Sequence, residues 1–388
     1  MADADTNRSS LYLAEETSWN ETPSTPTMNE IQRVSDSFMH QKITQVPATI
    51  RTDRLNEDII RVGEQAAGDF ACELRHTQYD LLLSAALGSA GFTTATTGAV
   101  TTISASSADN SFNRSSGSFV TDGFVAGQWI RVSGFTGAGI TADNGDFLVV
   151  SVATTKIVVT GTLVTNAAGD SVTVRGKVAR NGVAARSFLF EKRFADITQF
   201  QQLRGQRLNT MAMEMRNHAI ITSTFGFTGA QGLYTGSTVA GSSVAAASNA
   251  AMNSSDGITF VNEAGVALTI PLFSFMLNVN NNLGYQPALA NRFPIGIRYG
   301  TLEITGTVVA YFENLTLLNK FINHTPTSFA LKLVDTASKA LIVSVNRVFL
   351  TEGTTPVTGQ NADIFLNLPF RAAFDSTTGF AVQFDSLV

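Results

Sequence analysis

The sequence predicts a mainly β protein with one short α-helix and a small inserted all-β domain, on three observations. Apolar residues alternate with polar ones in short runs along most of the 388 residues. In a middle stretch rich in Thr, Ser, Gly and Val, turn pairs recur roughly every ten residues: Asp122-Gly123, Asn144-Gly145, Gly169-Asp170 and Asn181-Gly182. The one clear change to a helical period falls within residues 57–88, EDIIRVGEQAAGDFACELRHTQYDLLLSAALG.

Composition bounds the function. A content of 44% hydrophobic and 15% charged residues supports packed cores, and the length allows two or three domains. A formal net charge of -5 and a pI near 5.4 argue against a basic reader of nucleic acid. One cysteine, Cys72, excludes an intramolecular disulfide, and its place in an apolar alternation assigns it to the core. The start, MADADTNRSS, lacks a basic and apolar leader pattern, and no run of 18 apolar residues occurs, so neither a signal peptide nor a membrane span is expected.

Residues 1–30 are polar, carry Pro23 and Pro26, and show no sustained period, which reads as an extended N-terminal arm without its own core. Strand candidates follow at 38–46 and 59–62. Around Gly68, read as a turn between two strands, Phe70, Cys72 and Leu74 share one face. Thr77 with Asp80 resembles a capping box and Gly88 a C-terminal stop, which brackets a helix of about ten residues with almost no polar face.

The module at 93–182 should hold strands at 129–132, 147–152, 156–160 and 171–175, enough for a compact barrel or sandwich. After it, Phe188, Phe190 and Lys192 alternate with Leu189, Glu191 and Arg193, and the stripe Met211, Met213, Met215 reads as core or subunit interface. Residues 236–255 are almost all small and read as an exposed flexible loop. Runs at 272–279, 301–312, 328–334, 340–349 and 364–384 complete a sheet-rich half.

Catalytic and metal motifs are few. His40, His76, His218 and His324 show no zinc spacing. Gly134, Gly137 and Gly139 lie between strands, so they read as a turn and not a dinucleotide loop. Asp143 to Asp146 read as a hairpin turn, because the downstream Glu of a calcium loop is missing. No Gly-x-Ser-x-Gly occurs. No enzyme activity, metal or cofactor is expected.

The order of the parts matters most: a polar arm, then SFMHQKITQVPATIRTDRLNEDIIRVGEQAAGDFACELRHTQYDLLLSAALG, a β insert, SFLFEKRFADITQF, and finally RFPIGIRYGTLEITGTVVAYFEN. In this order the chain resembles the major tail tube proteins of long-tailed, siphovirus-like bacteriophages, over residues 20–92 and 185–388. The resemblance implies a tail-tube β-sandwich or barrel with a flanking helix, made from the discontinuous segments 31–92 and 183–388, with 93–182 as a variable outer domain. It also implies hexameric rings that stack head to tail into a conduit for genome ejection. Its partners would be further copies of itself, the tail tip and tail terminator proteins, the tape measure protein in the lumen before ejection, and phage DNA in transit without sequence-specific binding. Its place would be the virion tail, assembled in the host cytoplasm.

If each of six subunits supplies four strands, spacing of about 4.8 Å and tilt of about 40° give a backbone diameter of roughly 50 Å. Duplex DNA, about 20 Å across, passes such a bore if the wall does not bind phosphate. Thr301, Glu303, Thr305 and Thr307 alternate with Leu302, Ile304 and Gly306, a polar face with one carboxylate and no base, and these four residues are assigned to the lumen. The plain alternative is a solvated outer face. Trp19, Pro23 and Pro26 are assigned to an arm that bridges subunits. Two other classes fit the residues less well. A β-rich phage or bacterial surface or adhesion protein would share the Thr/Ser/Gly content, and a polysaccharide-acting enzyme would need aromatic clefts that 2 Trp and 6 Tyr hardly supply.

Overall fold

A computed structural model describes residues 3–137, 140–357 and 359–388. The chain is mainly β, as expected. Its sheet does not close into a barrel within one subunit. The front of the molecule is an antiparallel array in the order Met39–Gln45, Ile60–Glu73, Thr222–Gly229, Gln199–Arg216, Leu272–Asn280, Glu303–Tyr311 and Phe365–Ala372. Each strand alternates, so one face carries Phe70, Phe225, Met211, Met213, Leu277, Val308 and Leu368 into the core. Against that face lie Ser9–Glu15 and Phe188–Phe194 at one side and Thr327–Val334 with Ala340–Leu350 at the other. Phenylalanines join the layers: Phe190 sits 4.8 Å from Phe227, and Phe329 sits 6.1 Å from both Phe275 and Phe370, ring to ring.

The 18-residue strand Gln199–Arg216 serves both layers, and its sequence shows how. Residues 199–206 pair with Phe188–Phe194, and residues 207–214 pair with Thr222–Gly229. Between them the register slips by one residue around Gly205, which has φ +65. A glycine in the left-handed region at such a slip is the signature of a bulge that turns the strand.

Gly68 is not a turn. Ile60–Glu73 runs through it as one strand, and a Cβ at residue 68 would lie 2.5 Å from the Phe38 Cα. The glycine is there to let two backbones approach. The helix Asp80–Ala86 is shorter than expected, and Thr77, at φ +63, does not cap it. Asp80 instead pairs with Lys177 at 2.7 Å. Gly88, at φ +62, does end the helix. Leu82, Leu83, Ala85 and Ala86 are buried in the main core, as the all-apolar pattern requires.

Two further helices, Ile140–Asp143 and Thr316–Ile322, correct the expectation of a single one. The segment expected as a hairpin at residues 143–146 is the end of a helical turn followed by the strand Gly145–Ala153. Asp143 is buried there and accepts the Val164 N–H at 2.8 Å. Gly134 has φ +108 and lies against the Ser171 carbonyl, in a loop as read, while Gly139 lies outside the described residues.

Residues 1–30 also need correction. Ser9–Glu15 is a strand between Phe188–Phe194 and Thr27–Ile31, and Leu11, Leu13 and Met28 are buried. The alternation Leu11, Leu13 is only two residues long, too short to stand out in a polar segment. The small-residue stretch 236–255 is pinned rather than free-standing. Ser242–Val244 pairs with Thr27–Ile31, Met252 is buried, and the Ala247 N–H is held by Gln78 Oε1 at 2.5 Å.

Within residues 93–182, seven strands surround a separate core that includes Ile103, Phe112, Phe119, Phe135, Ile157 and Val174. The four expected strands are present as Trp129–Ser133, Gly145–Ala153, Lys156–Val159 and Val172–Arg180. Three more, Thr93–Val100, Ile103–Ser106 and Ser111–Arg114, precede them.

Candidate channel face and assembly surfaces

The face of the front sheet that points away from the core is continuous across six strands. In register, its middle row reads Ala71, Thr224, Ala212, Asn278, Thr305 and Arg371, and a neighbouring row Glu73, Thr222, Glu214, Met276, Thr307 and Pro369. Small and hydroxyl or amide side chains dominate. This pattern keeps a sheet face wet and smooth.

Glu303, Thr305 and Thr307 alternate with buried Ile304, Gly306 and Val308 and so lie on this face. Thr301 precedes the strand, is exposed, and accepts a hydrogen bond at its carbonyl from Asn282 Nδ2 at 2.8 Å. The strand alone carries one carboxylate and no base, as read, but the adjacent strand supplies one: Arg371 pairs with Glu303 at 2.8 Å. Glu214 is similarly paired with Arg216. The face then carries Asp69, Glu73, Glu214 and Glu303 against Arg75, Arg216 and Arg371, each of these bases paired with one of its carboxylates, a small acidic excess that offers phosphate little.

At one end of the face the alternation breaks. The register slips at residues 272–274, which puts Phe273 on the outside, 4.7 Å from Phe365, while Phe365 is 5.0 Å from Tyr311. These aromatic residues, with Ala212, Asn278 and Arg371, were not legible as a group. They sit on four strands whose register sequence does not reveal.

A long hairpin projects from the edge of the sheet. Its base is fixed by Glu64, which is buried and meets Arg61 at 2.6 Å, Arg292 at 2.9 Å and His40 at 3.1 Å. Two guanidinium groups and an imidazole converging on one carboxylate offset the cost of burying it. Beyond that base, Met39, Ile43, Val46, Leu55, Ile60 and Val62 are exposed, and Ile50 is 98% exposed. Clustered exposed apolar residues mark an interaction surface.

The three arm residues are spread over the subunit surface. Trp19 is half-buried, and its indole N–H donates to the Gly205 carbonyl at 3.2 Å. Pro23 is half-buried, and Pro26 is buried with its carbonyl accepting the Gly241 N–H at 2.9 Å. Beside Trp19, Glu16 accepts the Gly205 N–H at 2.8 Å, and its burial raises its carboxyl above the usual range.

Among the described residues no three His, Cys, Asp or Glu side chains could hold a metal. Cys72 is buried, bonded to the Ser223 carbonyl, and its thiol is pushed up to about 12 by that burial, so it packs as an inert core residue. The Met stripe is core as well. No helix among the described residues is long and apolar enough to cross a membrane.

The chain thus presents a large open sheet with a smooth polar face and an apolar projecting hairpin. The model of the family described as phage tail tube protein matches residues 6–372, nearly the whole chain, and the chain belongs to that family. It is therefore a structural component of a phage tail. No curated protein matches it.

Proposed function

We propose that this chain polymerises as hexameric rings stacked head to tail, forming the tail tube of a siphovirus-like phage and the conduit for its genome. The observation that carries the reading is the continuous polar face of the front sheet. In a ring, the strands Gln199–Arg216, Leu272–Asn280, Glu303–Tyr311 and their neighbours would face inward, so Glu303, Thr305 and Thr307 would line the lumen, with Thr301 at its rim. Joining the sheet to those of adjacent subunits removes its open edges, and the unlike upper and lower faces of the ring favour open-ended stacking.

The hairpin at residues 39–62 and the half-buried arm residues Trp19 and Pro23 are proposed to contact neighbouring copies, with Pro26 anchoring the arm to its own subunit. The tape measure protein would fill the lumen before ejection, tail tip and tail terminator proteins would close the ends, and DNA would pass without being read. Assembly would take place in the host cytoplasm. The unit at 93–182, with its separate core, is proposed to lie on the outside, where it cannot obstruct the bore.

Negative-stain microscopy of the purified protein tests the reading. Hollow tubes or six-fold rings support it. Isolated particles under every condition that polymerises other tail tubes would overturn it in favour of a surface or adhesion module.

A further inference from the structure

The two ends of the front sheet differ, and the register tells them apart. Ile60, at the foot of the projecting hairpin, begins the strand that ends at Glu73, and Glu73 lies opposite Thr222, which lies opposite Glu214. Farther across the sheet, Arg216 opposes Ser274, Leu272 opposes Ala310, and Tyr311 opposes Phe365. The aromatic group Phe273, Tyr311 and Phe365 therefore sits at the end opposite the hairpin. Phe312 and Ile364 extend it past the strand ends; both are exposed, and the Phe312 N–H donates to the Ile364 carbonyl at 3.1 Å. A cleft of about 370 Å³ is lined there by Phe273, Phe365, Met276, Thr307 and Val309, together with the Glu214–Arg216 pair.

The projecting end is apolar and basic. Glu64 joins the hairpin to the loop that follows Gly284–Gln286: its N–H donates to the Arg292 carbonyl, and its carboxylate holds the Arg292 guanidinium, both at 2.9 Å. Leu289 and Ile295 of that loop are exposed and enlarge the hairpin's apolar surface. Residues 39–64 and 284–298 together hold 6 Lys and Arg against 4 Asp and Glu, while the rest of the chain holds 20 against 27. Lys42 and Arg54 of the hairpin are exposed and, among the described residues, have no carboxylate partner. At the aromatic end Arg75 and Arg216 are paired with Glu73 and Glu214, whereas Glu313 and Asp363, next to Phe312 and Ile364, are exposed and have no basic partner among the described residues.

We propose that the aromatic end is the docking surface for a second copy of this chain, whose hairpin sets Ile50 and Leu55 against Phe273, Phe312 and Phe365, with Lys42 and Arg54 facing Glu313 and Asp363. The inference rests on the head-to-tail polymerisation proposed above and names the surface that receives the next copy. Unlike surfaces at opposite ends of one sheet make a heterologous contact, which a pair of copies cannot close and which therefore propagates along an axis. Each end alone leaves large apolar side chains in water, and joining the two buries both sets. Charge fixes the polarity: the basic end meets the acidic one, and two like ends would bring like charges together.

Tubes from the unaltered chain test polymerisation itself. Glu313→Lys with Asp363→Lys alters two exposed residues, so the urea midpoint should hold while the sedimenting fraction falls about tenfold, because like charges facing across a contact are costly. Adding Lys42→Glu and Arg54→Glu should restore sedimentation. In tubes of a chain carrying Ile50→Cys and Ile364→Cys, a bismaleimide should link copies into a ladder on a denaturing gel, and either cysteine alone should give none; Cys72 is buried and stays out of the reaction. Normal sedimentation of the lysine variant, no rescue by the second pair, or tubes without a ladder would each overturn the docking surface and leave polymerisation standing. A chain that forms no tubes at all would remove both.

Discussion

Gly68 decides how closely two neighbouring strands approach, and Phe190 how the two layers pack. At Gly68 the Phe38 backbone occupies the space a side chain would need, so Gly68→Ala must push two strands apart. The expected loss is about 1–3 kcal/mol, the usual range for overpacking, read as a lower urea midpoint with unchanged slope. Phe190 is fully buried and within 6.4 Å of Phe38, Phe70 and Phe227, ring to ring. Phe190→Ala should cost roughly 3–5 kcal/mol in the same measurement. An effect below ~1 kcal/mol at either site would mean the layers are not held as described. Sequence made the second residue legible and misread the first. Alternation marks Phe190 as apolar and inward, whereas a glycine needed for close approach looks the same in sequence as a glycine needed for a turn.

Among the elements, the legible ones were those whose periodicity is carried by large apolar side chains. Glu303–Tyr311 and the methionine stretch at the end of Gln199–Arg216 are of this kind, and so is Asp80–Ala86. Thr93–Val100 was missed because Thr, Ala and Gly give almost no contrast between its faces, and Ser9–Glu15 because its two leucines sit among polar residues. Thr316–Ile322 was missed because only Leu317 of it is buried, which leaves no stripe to read.

The hairpin offers the clearest test at this scale. Ile43, Ile60 and Val62 are all at least 43% exposed, so changing the three to Thr should alter subunit stability by less than about 0.5 kcal/mol each. Polymerisation followed by sedimentation should nevertheless fall sharply. Tubes forming at the normal rate would remove the hairpin from the assembly surface. The arm needs a gentler probe than truncation, because deleting residues 1–27 would also remove buried Leu11 and Leu13. Substituting Trp19 by Ala leaves that strand in place, and shorter or fewer tubes from a folded subunit are expected.

At the scale of the whole molecule, the polar face was half legible. Its alternation shows in one strand, but Arg371 reaches Glu303 from 68 residues further along the chain, and only the folded register brings them together. The resulting acidic balance gives a prediction about contents. Assembled tubes should retain no duplex DNA in a pelleting assay even near 50 mM salt, where phosphate contacts are at their strongest. Retention that disappears with added salt would point to a basic wall instead.

The change of composition at 93–182 does not show how that segment meets the rest of the chain, since Trp129, Asp385 and Arg180 are distant in sequence. A reconstruction of the assembled tube at side-chain resolution tests the central claim most directly. It should show Ala212, Asn278, Glu303, Thr305 and Thr307 lining the bore, with residues 93–182 outside it. Finding Glu303 and Thr305 on the outer surface would contradict the account.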